Sequence, residues 1–180
     1  MANCLINKNL TKDATCGYSL KQIVDIYLAN YAQVSAVTLS SSAEHTVSAV
    51  TMAEGGKWSH IEPAKDTTSY NDDLVVGGNG SKYRTHTMTF SFNSAYVDEV
   101  ADALDTLSLG KFVAILKLSD GTYIMLGRLT GLEASSASSL SEAEADGQNG
   151  ITVTLECNTT ETALIVPSTV FDGLDKVANA

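Results

Sequence analysis

Proline and positive charge are both scarce in this sequence. Only Pro63 and Pro167 interrupt its 180 residues, and eleven Lys and Arg stand against twenty-one acids, a formal net charge of −10. So little proline leaves long stretches free to join a sheet. So few cations argue against a protein that grips nucleic acid through its phosphates, which takes clustered Lys and Arg. The acidity favours solubility and repels a polyanion moving past the surface. Cysteine is sparse as well. Cys4, Cys16 and Cys157 are odd in number and form no CxxC. Zinc spacing is therefore absent, and free thiols in a reducing cytosol are the expectation, with pairing among the three left open. No apolar run is long enough to cross a bilayer as a helix. Met1-Ala2-Asn3-Cys4 opens no basic segment followed by an apolar one, so synthesis in the cytoplasm is expected.

What is present reads as strands. Apolar residues make up 44% of the chain and charged ones 18%, a globular rather than a disordered balance. Residues 1–20 lack periodicity and read as an N-terminal arm. Within 21–34, Ile23, Val24, Ile26, Tyr27 and Leu28 form an apolar run whose β-branched content favours a buried strand over a helix. Segments 34–39 and 47–52 read as further strands. Gly55-Gly56 marks a turn, and Pro63 ends a short strand over 58–62. Residues 66–73 read as a polar stretch before Leu74-Val75-Val76 and the Gly77-Gly78-Asn79-Gly80 turn. The clearest strand is 83–92. Arg84, His86, Met88, Phe90 and Phe92 alternate with Tyr83, Thr85, Thr87, Thr89 and Ser91, which makes one face increasingly apolar and the other a threonine ladder.

One helix is expected over 95–107, capped by Asn93 or Ser94. Val97, Val100, Ala101, Leu104 and Leu107 share one face, and Asp98, Asp102 and Asp105 share the other. Gly110 reads as its left-handed stop. Segments 112–118 and 122–128 flank Ser119-Asp120-Gly121, and Asp-Gly is the favoured type I′ hairpin pair. Residues 129–134 extend the second arm. Residues 135–148 read as a long Ser, Ala and Glu-rich hairpin loop, and 151–157 and 164–166 as closing strands. The expected fold is mainly β (β+α): a β-sandwich or barrel with one flanking helix. The expected division is an arm at 1–20, a β domain at 21–166 and a tail at 167–180 holding a short helix near 170–178.

No catalytic constellation stands out. His45, His60 and His86 are the only imidazoles. His86 reads as a satisfied core or rim histidine, His60 as the same beside Trp58, and His45 as a solvated loop residue. No GxSxG elbow occurs. Glu142, Glu144 and Asp146 with Asn149 lack EF-hand spacing. Gly77-Gly78-Asn79-Gly80 lacks the Lys and hydroxyl of a phosphate loop. Asp25, Asp72 and Asp73 show no partner in the sequence. No enzyme activity and no cofactor are expected.

A resemblance rests on the run from Thr85 to Val166. It comprises Thr85-His86-Thr87-Met88-Thr89-Phe90, Ala103-Leu104, Leu109-Gly110-Lys111-Phe112-Val113-Ala114-Ile115, Asp120-Gly121-Thr122-Tyr123, Leu126-Gly127, Gly131-Leu132-Glu133-Ala134, Asp146-Gly147-Gln148-Asn149-Gly150 and Ile151-Thr152-Val153-Thr154-Leu155. This run, with Gly17-Tyr18-Ser19 through Ala29-Asn30-Tyr31, resembles virion proteins of phages and prophages of gut Bacteroidetes, whose layout is similar to the tail-tube fold. The resemblance implies a tail-tube or tail/neck ring subunit of the virion, made in the host cytoplasm. It implies a homo-oligomeric ring, a hexamer being one option, or a stacked tube. The implied partners are other tail or neck proteins and genomic DNA passing through the lumen without specific binding, with no membrane involved. The long loop suits a contact between copies, which nominates Ser136, Ser138, Leu140, Glu142, Glu144 and Asp146. A capsid decoration or receptor-contacting β-domain is the alternative.

Overall fold

The computed structural model describes residues 21–92, 98–141 and 149–178. In chain order the elements are β1 (Ile23–Asn30), a 3₁₀ turn (Tyr31–Gln33), β2 (Val34–Leu39), β3 (Val47–Met52), β4 (Ser59–Ile61), β5 (Ser69–Val76), β6 (Lys82–Phe92), α1 (Asp98–Leu109), β7 (Lys111–Leu118), β8 (Tyr123–Leu126), β9 (Leu132–Ser141), β10 (Asn149–Thr159), β11 (Leu164–Val166) and α2 (Ser168–Asp172). The fold is mainly β. The expected N-terminal arm lies outside the described residues.

The most apolar strand organises the rest. Phe112 through Leu116 of β7 are all buried, the pattern of a strand covered on both faces. Its register explains why. Phe112 pairs with Asn30 of β1 and Leu132 of β9, and Ala114 pairs with Leu28 of β1 and Leu126 of β8. So β1 runs along one flank of β7, while β8 and then β9 run along the other. β9 leaves β7 after Glu133 and carries the half-sheet β9–β10–β6–β5.

That half-sheet folds over β7 and closes the first core. Phe112, Ala114 and Leu116 meet Met88 and Phe90 of β6 and Ile151, Val153 and Leu155 of β10, with Leu104 and Leu107 of α1 packed in. The reverse face of β7 makes a second core. There Val113 and Ile115 meet Val47, Trp58, Leu164, Val166 and Phe171 beneath the separate β2–β3 ribbon. Each large side chain sealed this way contributes about 1.5–3 kcal/mol.

Several expectations hold and several need correction. The alternation of β6 is as read, with His86, Met88 and Phe90 inward. Part of the polar stretch 66–73 is strand. From Ser69 it is strand β5, with Ser69, Asn71 and Asp73 exposed and Tyr70 and Asp72 turned inward. An inward aspartate hid the period. The segment 135–148 is likewise not all loop, because β9 reaches Ser141 by pairing Ser136 with Thr154 and Ser138 with Thr152. Backbone pairing satisfies small polar residues that propensity alone disfavours. The short C-terminal helix begins at Ser168 instead of near 170, and its Phe171 is buried.

Two turn readings are also corrected. In the β7–β8 hairpin Gly121 has φ +82°, but Asp120 does not have positive φ. A type I′ turn needs both. Gly121 N–H donates to Leu118 O (3.0 Å) and Leu118 N–H to Thr122 O (2.8 Å), the pattern of a type I turn closed by a glycine bulge. Gly110 does not adopt positive φ either. It is glycine for lack of space, since a Cβ there would lie 2.3 Å from Phe112 Cζ and 2.6 Å from Thr106 O. The described part of α1 runs Asp98–Leu109, two residues past the expected end; the cap residues lie outside the described residues.

Between β8 and β9 the chain loops out for one turn, with Gly131 N–H donating to Gly127 O (2.9 Å). Gly127 has φ +77°, and a Cβ would meet Leu132 Cγ at 2.9 Å and Phe112 O at 3.0 Å. Gly55 has φ +78° with nothing within 4 Å. Gly127→Ala is therefore expected to cost more than the ~1–2 kcal/mol of the left-handed conformation, and Gly55→Ala only that. Urea midpoints of the two variants check it; equal midpoints would remove the crowding argument.

Candidate functional site: a polar sheet face with two free edges

The outer face of β9–β10–β6–β5 consists mostly of hydroxyls and amides. Because strand side chains alternate, register fixes its members. Across it run Ser69, Thr89, Thr154 and Ser136, and next to them Ser91, Thr152 and Ser138. Thr89 and Thr154 hydroxyls lie 3.0 Å apart, Ser91 and Thr152 2.7 Å, and Thr85 Oγ1 donates to Asn158 Oδ1 at 2.8 Å. Its exposed acids are Glu156 of β10, Glu133 of β9 and Asp73 of the edge strand β5, and Lys111 of the adjoining β7 reaches Glu133 at 2.7 Å. No Lys or Arg of these four strands projects from this face among the described residues, because Lys82 and Arg84 share the inward parity of His86.

Both outer strands of this half-sheet keep an unpaired edge among the described residues. β5 pairs only with β6, and β9 beyond Glu133 pairs only with β10. Such edges present backbone donors and acceptors to any incoming strand. On β5, Leu74 and Val76 are each 59% exposed. They lie on the parity of Asp72, past the rim of the first core.

The nominated contact residues divide accordingly. Ser136 and Ser138 are exposed on the outer face of β9, and Leu140 lies farther along β9. Glu142, Glu144 and Asp146 lie outside the described residues, as do Cys4 and Cys16. Sequence reasoning missed the β5 edge, although the exposed Ser69-Asn71-Asp73 alternation could have found it.

Two ion-pair clusters correct the reading of unpartnered aspartates. Asp25 of β1 accepts from Lys117 Nζ (2.7 Å) and His60 Nε2 (2.9 Å), tying β4, β1 and β7 together. His60 stacks on Tyr27 at 4.8 Å, and Tyr27 meets Phe171 edge-on. Asp72 of β5 accepts from Arg84 Nε and from Ala163 N–H (2.9 Å), linking the edge strand to the β10–β11 connection. Arg128 grips Glu161 of that connection with two nitrogens, the closest contact being 2.6 Å. His45, read as solvated, meets Thr162 Oγ1 at 3.2 Å. His86 is buried as expected but is not satisfied, since neither ring nitrogen makes a well-formed hydrogen bond.

Burial alone would raise the Asp25 and Asp72 carboxyls. The hydrogen bonds from Lys117 and His60, and from Arg84 and Ala163, outweigh it and hold both below the ordinary 3.8. Their stabilisation is present above the unfolded value and is lost as pH falls through the folded values. Thermal melts between about pH 5 and about pH 1 should show this loss, and Asp25→Asn should flatten it. An unchanged acid limb in that variant would exclude Asp25 as a contributor.

Among the described residues no group of three or more His, Cys, Asp or Glu could hold a metal ion, and no helix is long and apolar enough to cross a membrane. Cys157 is buried and unpaired. Comparison with protein-family models, curated proteins and solved structures finds no match for this chain.

Proposed function

We infer that the chain is a structural subunit of a bacteriophage virion, a tail-tube or tail/neck ring component. Copies join edge to edge through β5 and β9, with the hydroxyl face lining a passage for DNA. The observation that carries this reading is a polar four-stranded sheet face whose two outer strands pair with no further strand among the described residues.

Strand direction supports the arrangement. β9, β10, β6 and β5 alternate. A neighbour generated by rotation about an axis along the strands therefore sets its β9 antiparallel to this β5. An even strand number is what makes that junction antiparallel. The contact is heterologous, so it closes into a ring when the rotation divides the circle.

The chemistry of the face supports the passage. Hydroxyls and amides hold water, Asp73 and Glu156 repel phosphates, and no cation of these four strands projects there. A net charge of −10 acts in the same direction.

Electron microscopy of the purified full chain tests the proposal. Rings or short tubes with a central opening are the expected images. A strict monomer at high concentration, or antibody labelling confined to capsids or tail tips, would overturn it; the second outcome would favour decoration or receptor contact.

A further inference from the structure

The joint between edge strand β5 and the β10–β11 connection is built around a sealed imidazole. His86 is 1% exposed. It pairs in register with Asp72 of β5 on one side and Cys157 of β10 on the other. The Asp72 carboxylate lies 3.4 Å from its Nε2, and the Glu161 backbone also faces it, yet neither nitrogen is properly satisfied. The charged and titratable groups around it are Asp72 from β5, Arg84 from β6, Cys157 from β10, and Glu161 from the connection, itself paired with Arg128.

We propose that His86 is an acid-operated release for the β5 edge, letting that strand and the connection joined to it open when the imidazole takes a proton.

The argument is one of competition. Asp72 already serves Arg84 and the Ala163 N–H. A protonated His86 would make two cations share one half-buried carboxylate. The backbone and carboxylate of Glu161 also favour the charged ring but do not offset its burial, so water must complete the solvation of the new charge, and something must move to admit it. β6 and β10 each have neighbours on both sides, whereas β5 has only β6 among the described residues. The residues 160–163 that close over the joint pair with no strand. Opening is therefore cheapest at β5 and at 160–163, which the Asp72–Ala163 hydrogen bond couples.

The sign follows from the same geometry. Burial pushes the imidazole below its ordinary 6.5, and the Asp72 carboxylate only partly offsets this. A group depressed in the folded state stabilises the fold above its unfolded value. That contribution is lost as pH falls through the folded value. The window therefore opens below about pH 6.5, well above the window of Asp25 and Asp72.

Hydrogen exchange of the full chain tests the release, corrected for the intrinsic pH dependence of exchange. On going from about pH 8 to about pH 5, β5 amides should lose protection severalfold while β7 amides keep theirs. His86→Gln should remove the difference. Equal loss in β5 and β7, or the same acid response in His86→Gln, would overturn the proposal. Should His86→Gln not fold, ring NMR of the natural protein decides: protonation of His86 with β5 protection unchanged also overturns it. The significance of β5 as an assembly edge rests on the ring reading. The exchange experiment is read below the assembly concentration, so either can fail without the other.

Discussion

Trp58→Ala is expected to cost about 3–5 kcal/mol, a large part of the roughly 5–15 kcal/mol that holds an ordinary domain folded. Trp58 is completely buried at the centre of the second core. Its backbone also anchors the C-terminal segment: Trp58 N–H donates to Asp175 O and Val177 N–H to Trp58 O, both at 2.9 Å. Truncation therefore opens a cavity against Ile115, Val166 and Phe171 and loosens the segment those bonds hold. Trp58→Phe should behave differently. The indole Nε1 has no partner, and a buried unpaired donor costs about 1–3 kcal/mol. Phenylalanine removes that group while keeping most of the area, so its net cost should stay below about 1.5 kcal/mol. Urea unfolding followed by circular dichroism measures both. Similar losses for the two variants would show that the indole, not its volume, matters.

The double variant Leu74→Lys, Val76→Lys is expected to abolish assembly and leave the folded subunit intact. Both side chains are more than half exposed, so the isolated fold should change by no more than about 0.5 kcal/mol each. Beside a joining strand, however, two ammonium groups must be desolvated. Lysine on an edge strand is also the device by which sheets avoid joining. A combined penalty of about 3 kcal/mol weakens each contact about 100-fold, and a ring multiplies that loss over every junction. Ile165→Lys is the control, because Ile165 is 51% exposed but its strand edge is occupied by His45 and Thr46. Sedimentation velocity should find monomers for the double variant and assemblies for the control. Assemblies from both would exclude β5 as the contact.

The amphipathic stripe of α1, the alternation of β6, and the positions of β7 and β8 about Asp120-Gly121 could all be read from the chain. Each rests on short-range periodicity or a local turn residue. β5 looks only polar in the sequence because Asp72 points inward, and an inward carboxylate is tolerable only with Arg84 and the Ala163 amide beside it. The part of β9 beyond Ala134 looks like loop in the sequence because serine and alanine carry no strand signal of their own; β10 supplies it through the register. At Gly110 the ring of Phe112 two residues on, not handedness, sets the limit.

By itself, then, the order of residues settled the mainly β class, the amphipathic helix α1 and the net acidity of the chain. These follow from composition and from periods of two or 3.6 residues, which need no knowledge of distant partners. The tertiary structure decided that β7 is buried on both faces, that Asp25 and Asp72 are paired, and that one half-sheet turns a largely uncharged polar face outward between two edges that no strand occupies among the described residues. Those facts depend on contacts between residues as far apart as Asp72 and Ala163, and only the closed fold brings such residues together.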